Sequence, residues 1–188
     1  MACAASDSDT YSIGIMAISD DQGRTWFASK PIMSAGGIQP TVLAKNDGTL
    51  VAFMRDNGNS RHIKVSESTD DGMTWGKVGL AKLPNPGAGI DGVRLANGHW
   101  CLVYNDSARG RNSLAVSISE DEGKNWKFTR HLEKHKDGSY HYPCVIQGKD
   151  GTIHAIYSYA VPRKEERRSG ESMKHMAFDE AWVMRGDG

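Results

Sequence analysis

One eight-residue pattern occurs three times along this chain at nearly constant spacing, and few folds accommodate that. Ser19-Asp20-Asp21-Gln22-Gly23-Arg24-Thr25-Trp26, Ser68-Thr69-Asp70-Asp71-Gly72-Met73-Thr74-Trp75 and Ser119-Glu120-Asp121-Glu122-Gly123-Lys124-Asn125-Trp126 share S-x-D-x-G-x-(T/N)-W, spaced 49 and 51 residues apart. An apolar or β-branched run precedes each copy, at residues 13–18, 63–65 and 114–118, and reads as a strand. The Asp at the third position is suited to accept backbone N–H bonds within its own turn. The Gly two residues later supplies a positive φ at little steric cost. The Trp is expected to start the next strand and to cover the turn with a large apolar body.

A second repeat is interleaved with the first. Residues 41–53, 92–104 and 144–157 each read as strand, turn and strand around Asp47-Gly48, Asn97-Gly98 and Asp150-Gly151. Asp-Gly or Asn-Gly between alternating apolar runs is a strong hairpin signal. These turns lie 50 and 53 residues apart, in phase with the first repeat. One period therefore holds two hairpins, or four antiparallel strands, which is one blade of a β-propeller. The expected class is all-β: a partial propeller of about three to four blades, where such propellers close with six or seven. A β-sandwich with coincidental turns is the alternative. Residues 1–188 are read as one incomplete propeller domain, with 1–10 disordered.

Composition bounds the rest. Lys plus Arg equals Asp plus Glu at 23 each, so bulk charge offers nothing to a nucleic acid or a membrane surface. No run approaches the roughly 18 apolar residues of a membrane span. The opening residues lack the basic and apolar regions of a signal peptide, which makes the cytosol the default address. Cys3, Cys101 and Cys144 match no metal site and form no disulfide framework. Cys101 and Cys144, in apolar runs, read as buried free thiols. No cofactor is expected. Residues 163–168, a run of mixed charge, read as a solvated loop.

S-x-D-x-G-x-T-W resembles the Asp box of sialidases (neuraminidases) and their relatives, and the resemblance runs from about residue 11 to 183. It implies that Asp21, Asp70 and Asp121 are structural. It further implies an active site in which three arginines hold the sugar carboxylate, a Tyr paired with a Glu is the nucleophile, and an Asp is acid/base. Carried over residue by residue, Arg55, ending the strand after Asp47-Gly48, matches the second arginine, and Arg111 matches the third. Arg61 and Arg109 are the near-miss alternatives. Tyr140, in Tyr140-His141-Tyr142-Pro143, matches the nucleophile. His141 is a candidate base if it faces the pocket, and His62 and His154 read as strand residues without function. The partner Glu would stand eight residues before Asp47, where this chain has Gln39. A Gln can orient a Tyr but cannot take its proton.

The first arginine and the acid/base Asp would belong to blades that precede this segment. Missing N-terminal blades, or a partner chain, are expected to close the propeller, and the segment alone is expected to be inactive. Ile38-Gln39-Pro40, Asn85-Pro86-Gly87-Ala88-Gly89, Tyr140-His141-Tyr142-Pro143 and residues 174–182 resemble a divergent sialidase-like branch. The implied functions are a glycosidase for an acidic sugar, a uronate polysaccharide lyase, or a non-catalytic glycan-binding propeller.

Overall fold

The computed structural model describes residues 13–161 and 170–188, together with the backbone of Ala2–Ala5. The charged run at 163–168 lies outside the described residues, as does most of the segment 1–10. The chain divides into two compact units, Met1–Leu83 and Pro84–Gly188.

The first unit holds two antiparallel sheets. One orders β1 (Ala2–Ala5), β2 (Ile13–Ile18) and β3 (Phe27–Ala28) in sequence. In it β1 pairs with β2 from Ala2↔Met16 to Ala5↔Ile13. The other is a four-stranded meander of β4 (Gly37–Ala44), β5 (Leu50–Asp56), β6 (His62–Ser68) and β7 (Gly79–Pro84). Met16, Ile32, Ala52 and Met54 form a buried cluster between them.

The second unit repeats the plan. Here β8 (Asp91–Arg94), β9 (Trp100–Asn105), β10 (Ser113–Ser119) and β11 (Phe128–Lys134) form a second four-stranded meander. A three-stranded sheet follows, β12 (Ser139–Gln147), β13 (Ile153–Ala160) and β14 (Glu171–Phe178), and then the short helix α1 (Glu180–Met184). Every residue of β9 and of β10 is buried, because these middle strands are covered on both faces. Val103, Leu114, Val116, Tyr140, Val145, Tyr157 and Val183 belong to one apolar core that joins both sheets and the helix. Among the described residues no helix is long and apolar enough to cross a membrane.

All three Asp-box turns close on themselves. Asp21 Oδ1 accepts from the backbone of Arg24 and Thr25, both at 2.9 Å, while its Oδ2 accepts from the Thr25 hydroxyl at 2.6 Å. Asp70 does the same with Thr74, and Asp121 with the backbone and amide of Asn125. The leading serine donates to each Asp, at 2.8–2.9 Å. Gly23, Gly72 and Gly123 have φ of 86, 86 and 81°. The residues before them, Gln22, Asp71 and Glu122, are also left-handed, at 64, 56 and 58°. Two consecutive positive φ values are what a type I′ turn requires.

Two local expectations are corrected. Trp26, Trp75 and Trp126 all precede the next strand rather than start it. The indole folds back instead: Trp26 and Trp75 Nε1 donate to the carbonyls of Gly23 and Gly72, each at 3.0 Å. Cys144 is exposed, whereas Cys101 is buried as expected. An extra residue in β12 shifts the inward phase of that strand.

The turn carboxylates tie stability to pH. Bonds from Thr25 hold the Asp21 carboxyl at about 2, against an ordinary value of 3.8. Asp70 and Asp121 are held low for the same reason, by Thr74 and by Asn125. A carboxyl lowered on folding adds stability above its ordinary value, and that stability is lost as pH falls through the folded value. The melting temperature should therefore drop as pH falls from about 4 to about 2, beyond any drop in the Asp21→Asn, Asp70→Asn, Asp121→Asn triple variant. Calorimetric melts of both proteins across that range measure the difference, and parallel curves would show that these turns carry no pH-dependent stability.

Candidate active site

The two inner strands β4 and β12 carry the same irregularity. In β4 the pairing with β5 runs Ile38↔Arg55 and then Thr41↔Phe53; in β12 the pairing with β13 runs His141↔Ser158 and then Cys144↔Ile156. Each strand thus inserts one extra residue, a β-bulge, at Gln39-Pro40 and at Tyr142-Pro143. Gln39 and Tyr142 both stand eight residues before the Asp of an Asp-Gly turn. Both are left-handed, with φ of 50 and 51°. A bulky residue with positive φ costs about 1–3 kcal/mol and persists only where its surroundings impose it. Bulges of this kind re-aim side chains beside functional sites.

The bulge decides which tyrosine meets solvent. Strict alternation along β12 would place Tyr140 and Tyr142 on one face. The extra residue shifts the phase, so that Tyr140, Pro143 and Val145 point inward and Tyr142 outward. Tyr140, the expected nucleophile, is 1% exposed and tilts against Tyr159, with ring centroids 5.5 Å apart. Burial pushes its phenol above the ordinary value, and Glu133 and Tyr159 push the same way. Tyr157 beneath it is pushed up as well, by burial and by its 2.6 Å bond to Glu133, which Lys174 also contacts. Tyr142 is 50% exposed.

Arg111 faces that exposed ring. Its guanidinium carbon lies 5.8 Å from the centre of Tyr142, and Nη2 donates to the Gly87 carbonyl at 3.1 Å. The loop that supplies Gly87 is shaped by the buried Asn85. Its side chain accepts from the backbone of Gly87 and Ala88 and donates to the Ala88 carbonyl. At the end of the loop, Gly89 lies under the Tyr142 ring, and a Cβ there would come within 3.2 Å of Cδ1. A side chain at this position would press on that ring. The backbone is fastened too: Tyr140 N donates to Arg111 O at 2.8 Å, and Asn105 Nδ2 donates to Ser113 O and Tyr140 O at 3.1 and 3.0 Å. His141 meets Tyr142 edge-on, with centroids 5.2 Å apart.

In the first unit the structure brings Arg55 and Gln39 together. Arg55 Nη1 donates to Gln39 Oε1 at 3.1 Å and Nη2 to Asn57 Oδ1 at 3.5 Å. Arg55 Nε is buried and finds no partner among the described residues. Its guanidinium thus donates to the neutral amides of Gln39 and Asn57. The near-miss arginines sit differently. Arg61 is exposed and left-handed, its backbone N–H donating to Asp56, and Arg109 is exposed in a loop tied by Ser107. His62 and His154 lie in β6 and β13, as expected.

The profile of the BNR repeat-like domain matches residues 2–155. The chain belongs to the BNR repeat-like domain family. It is 26% identical over 175 residues to a sialidase of Micromonospora viridifaciens, an alignment covering 88% of this chain and 25% of that protein. The chain thus spans about a quarter of that relative's length. A protein of unknown function from Dyadobacter fermentans superposes with a TM-score of 0.74 at 20% identity, over 94% of this chain and 48% of that one. The NanB sialidase from Streptococcus pneumoniae does so with a TM-score of 0.74 at 20% identity, over 93% and 28%. These likenesses establish the fold: the sheets are blades of a sialidase-like β-propeller, of which the chain is a part.

Sequence reasoning passed over Tyr142, Gly89 and Asn105. The signal for Tyr142 was present, since Gln39-Pro40 and Tyr142-Pro143 hold the same place before an Asp-Gly turn. Asn105 carries a stability prediction: Asn105→Ala leaves two buried carbonyls without this donor and should cost about 2–3 kcal/mol. Urea unfolding measures it, and an unchanged midpoint would show that the amide bridge between β9 and β12 is energetically idle.

Proposed function

We propose that this BNR-family propeller belongs to a glycosidase for an acidic sugar, in which Arg111 binds carboxylate and the reacting phenol is Tyr142 rather than the buried Tyr140. The observation that carries the reading is Tyr142 itself. It is a bulky residue forced into a left-handed conformation, half exposed, seated on a glycine and faced by a guanidinium. A planar guanidinium makes two parallel bonds to a carboxylate, a geometry that Lys does not copy. A neutral phenol approaches an anionic sugar without charge repulsion. Its oxygen bonds to the anomeric carbon as its proton passes to a base and the bond to the leaving oxygen, which takes a proton, breaks; water then cleaves the intermediate. The sialidase-like blades and the sialidase relative support this reading.

Gln39 favours a second reading. A carboxamide cannot take a phenol proton, and a uronate lyase, in which arginine neutralises the carboxylate and a proton leaves the sugar ring, does not need a Glu there.

The test uses the protein at its full natural length. With a fluorogenic aryl sialoside, the wild type should release the fluorophore. Tyr142→Phe should abolish release, Arg111→Lys should lower kcat/KM roughly 10- to 100-fold, and Tyr140→Phe should retain most of it. No release, together with new ultraviolet absorbance on a uronate polymer, would transfer the assignment to the lyase. Neither signal, with a glycan-induced rise in melting temperature, would leave a binding module.

A further inference from the structure

The proposed reading leaves the Tyr142 proton without an acceptor, because Gln39 stands in the place of a carboxylate. The second unit places a base beside it. His141 precedes Tyr142 in the bulge, and the left-handed φ at Tyr142 brings the two rings into edge-on contact at 5.2 Å, with an interplanar angle of 88°. Its Nδ1 is buried and has no hydrogen-bond partner among the described residues. An orphaned buried nitrogen calls for an explanation.

We propose that His141 is the proton acceptor of Tyr142, supplying the base that Gln39 cannot. This rests on the reading of Tyr142 as the reacting phenol. In the step, the phenol O–H bond breaks, the proton bonds to the imidazole, and the electron pair stays on the phenol oxygen. The resulting imidazolium and the Arg111 guanidinium then flank the negative oxygen. Transfer needs the O–H within about 2.6–3.2 Å of the imidazole, a contact that free enzymes often close only around a ligand.

The charges around His141 suit the role. Burial lowers the imidazole below its ordinary value, the Arg111 guanidinium lowers it further, and Glu171 at the start of β14 pulls against both. Tyr142 is the aromatic neighbour, and Ser158 lies opposite on β13. The imidazole is therefore neutral near neutral pH and free to accept a proton.

The test reads nucleophilicity directly and needs no sugar. Full-length protein is treated with phenylmethanesulfonyl fluoride, and modification of the Tyr142 peptide is followed by mass spectrometry across pH. In the wild type the rate should rise with pH through an inflection below the ordinary histidine value of about 6.5 and then level off. His141→Gln should erase that inflection and slow labelling near neutral pH on the order of 100-fold. Equal rates in wild type and variant would overturn the proposal. So would a wild-type profile rising only toward the phenol's own value of about 10, which stays decisive even if the variant fails to fold. Histidine-dependent labelling without sialoside release would sink the glycosidase reading and leave the pair standing.

Discussion

A carboxylate that satisfies the backbone of its own turn is the interaction on which the blades depend. Asp21, Asp70 and Asp121 each bond the residue four positions on, and each is positioned by a serine two positions before it. Everything the turn needs lies within eight consecutive residues. The strands on either side can therefore diverge in sequence without losing the hairpin, and β2, β6 and β10 do diverge while keeping their place before the turn.

The inner strands use a different device. Where the Asp box removes unpaired groups, the bulges at Gln39-Pro40 and Tyr142-Pro143 introduce strain. One extra residue per strand turns a side chain out of the core alternation, and the following Pro, lacking an N–H, has no ladder bond to lose. The two bulges differ in what they present. In β4 an amide meets a guanidinium; in β12 a phenol meets one, with an imidazole beside it. A repeated backbone solution thus carries unlike chemistry in the two units.

The chemistry rests on support from further away. Asn85 shapes the loop that offers Gly87 to Arg111, and Gly89 leaves room for the ring that Arg111 faces. Asn105 fastens the backbone of Tyr140 to the start of β10, so the strand that follows Arg111 and the strand that carries Tyr142 share one buried amide. Tyr140 serves here as a core residue among Tyr157 and Tyr159.

The all-β class, the blade period, and the Asp-box, Asp-Gly and Asn-Gly turns were legible in the amino-acid order, because each depends on contacts within a few residues. Gln39 was also legible as a departure, since the chemistry of an amide does not depend on its surroundings. Which tyrosine reaches solvent was not. Exposure in β12 turns on one residue inserted relative to β13, a property of two paired strands that neither segment states by itself. The same shift brought Cys144 outward, against the expectation from its apolar neighbours. It also set His141 against Tyr142 with a buried nitrogen unpaired, an arrangement that only tertiary packing can produce.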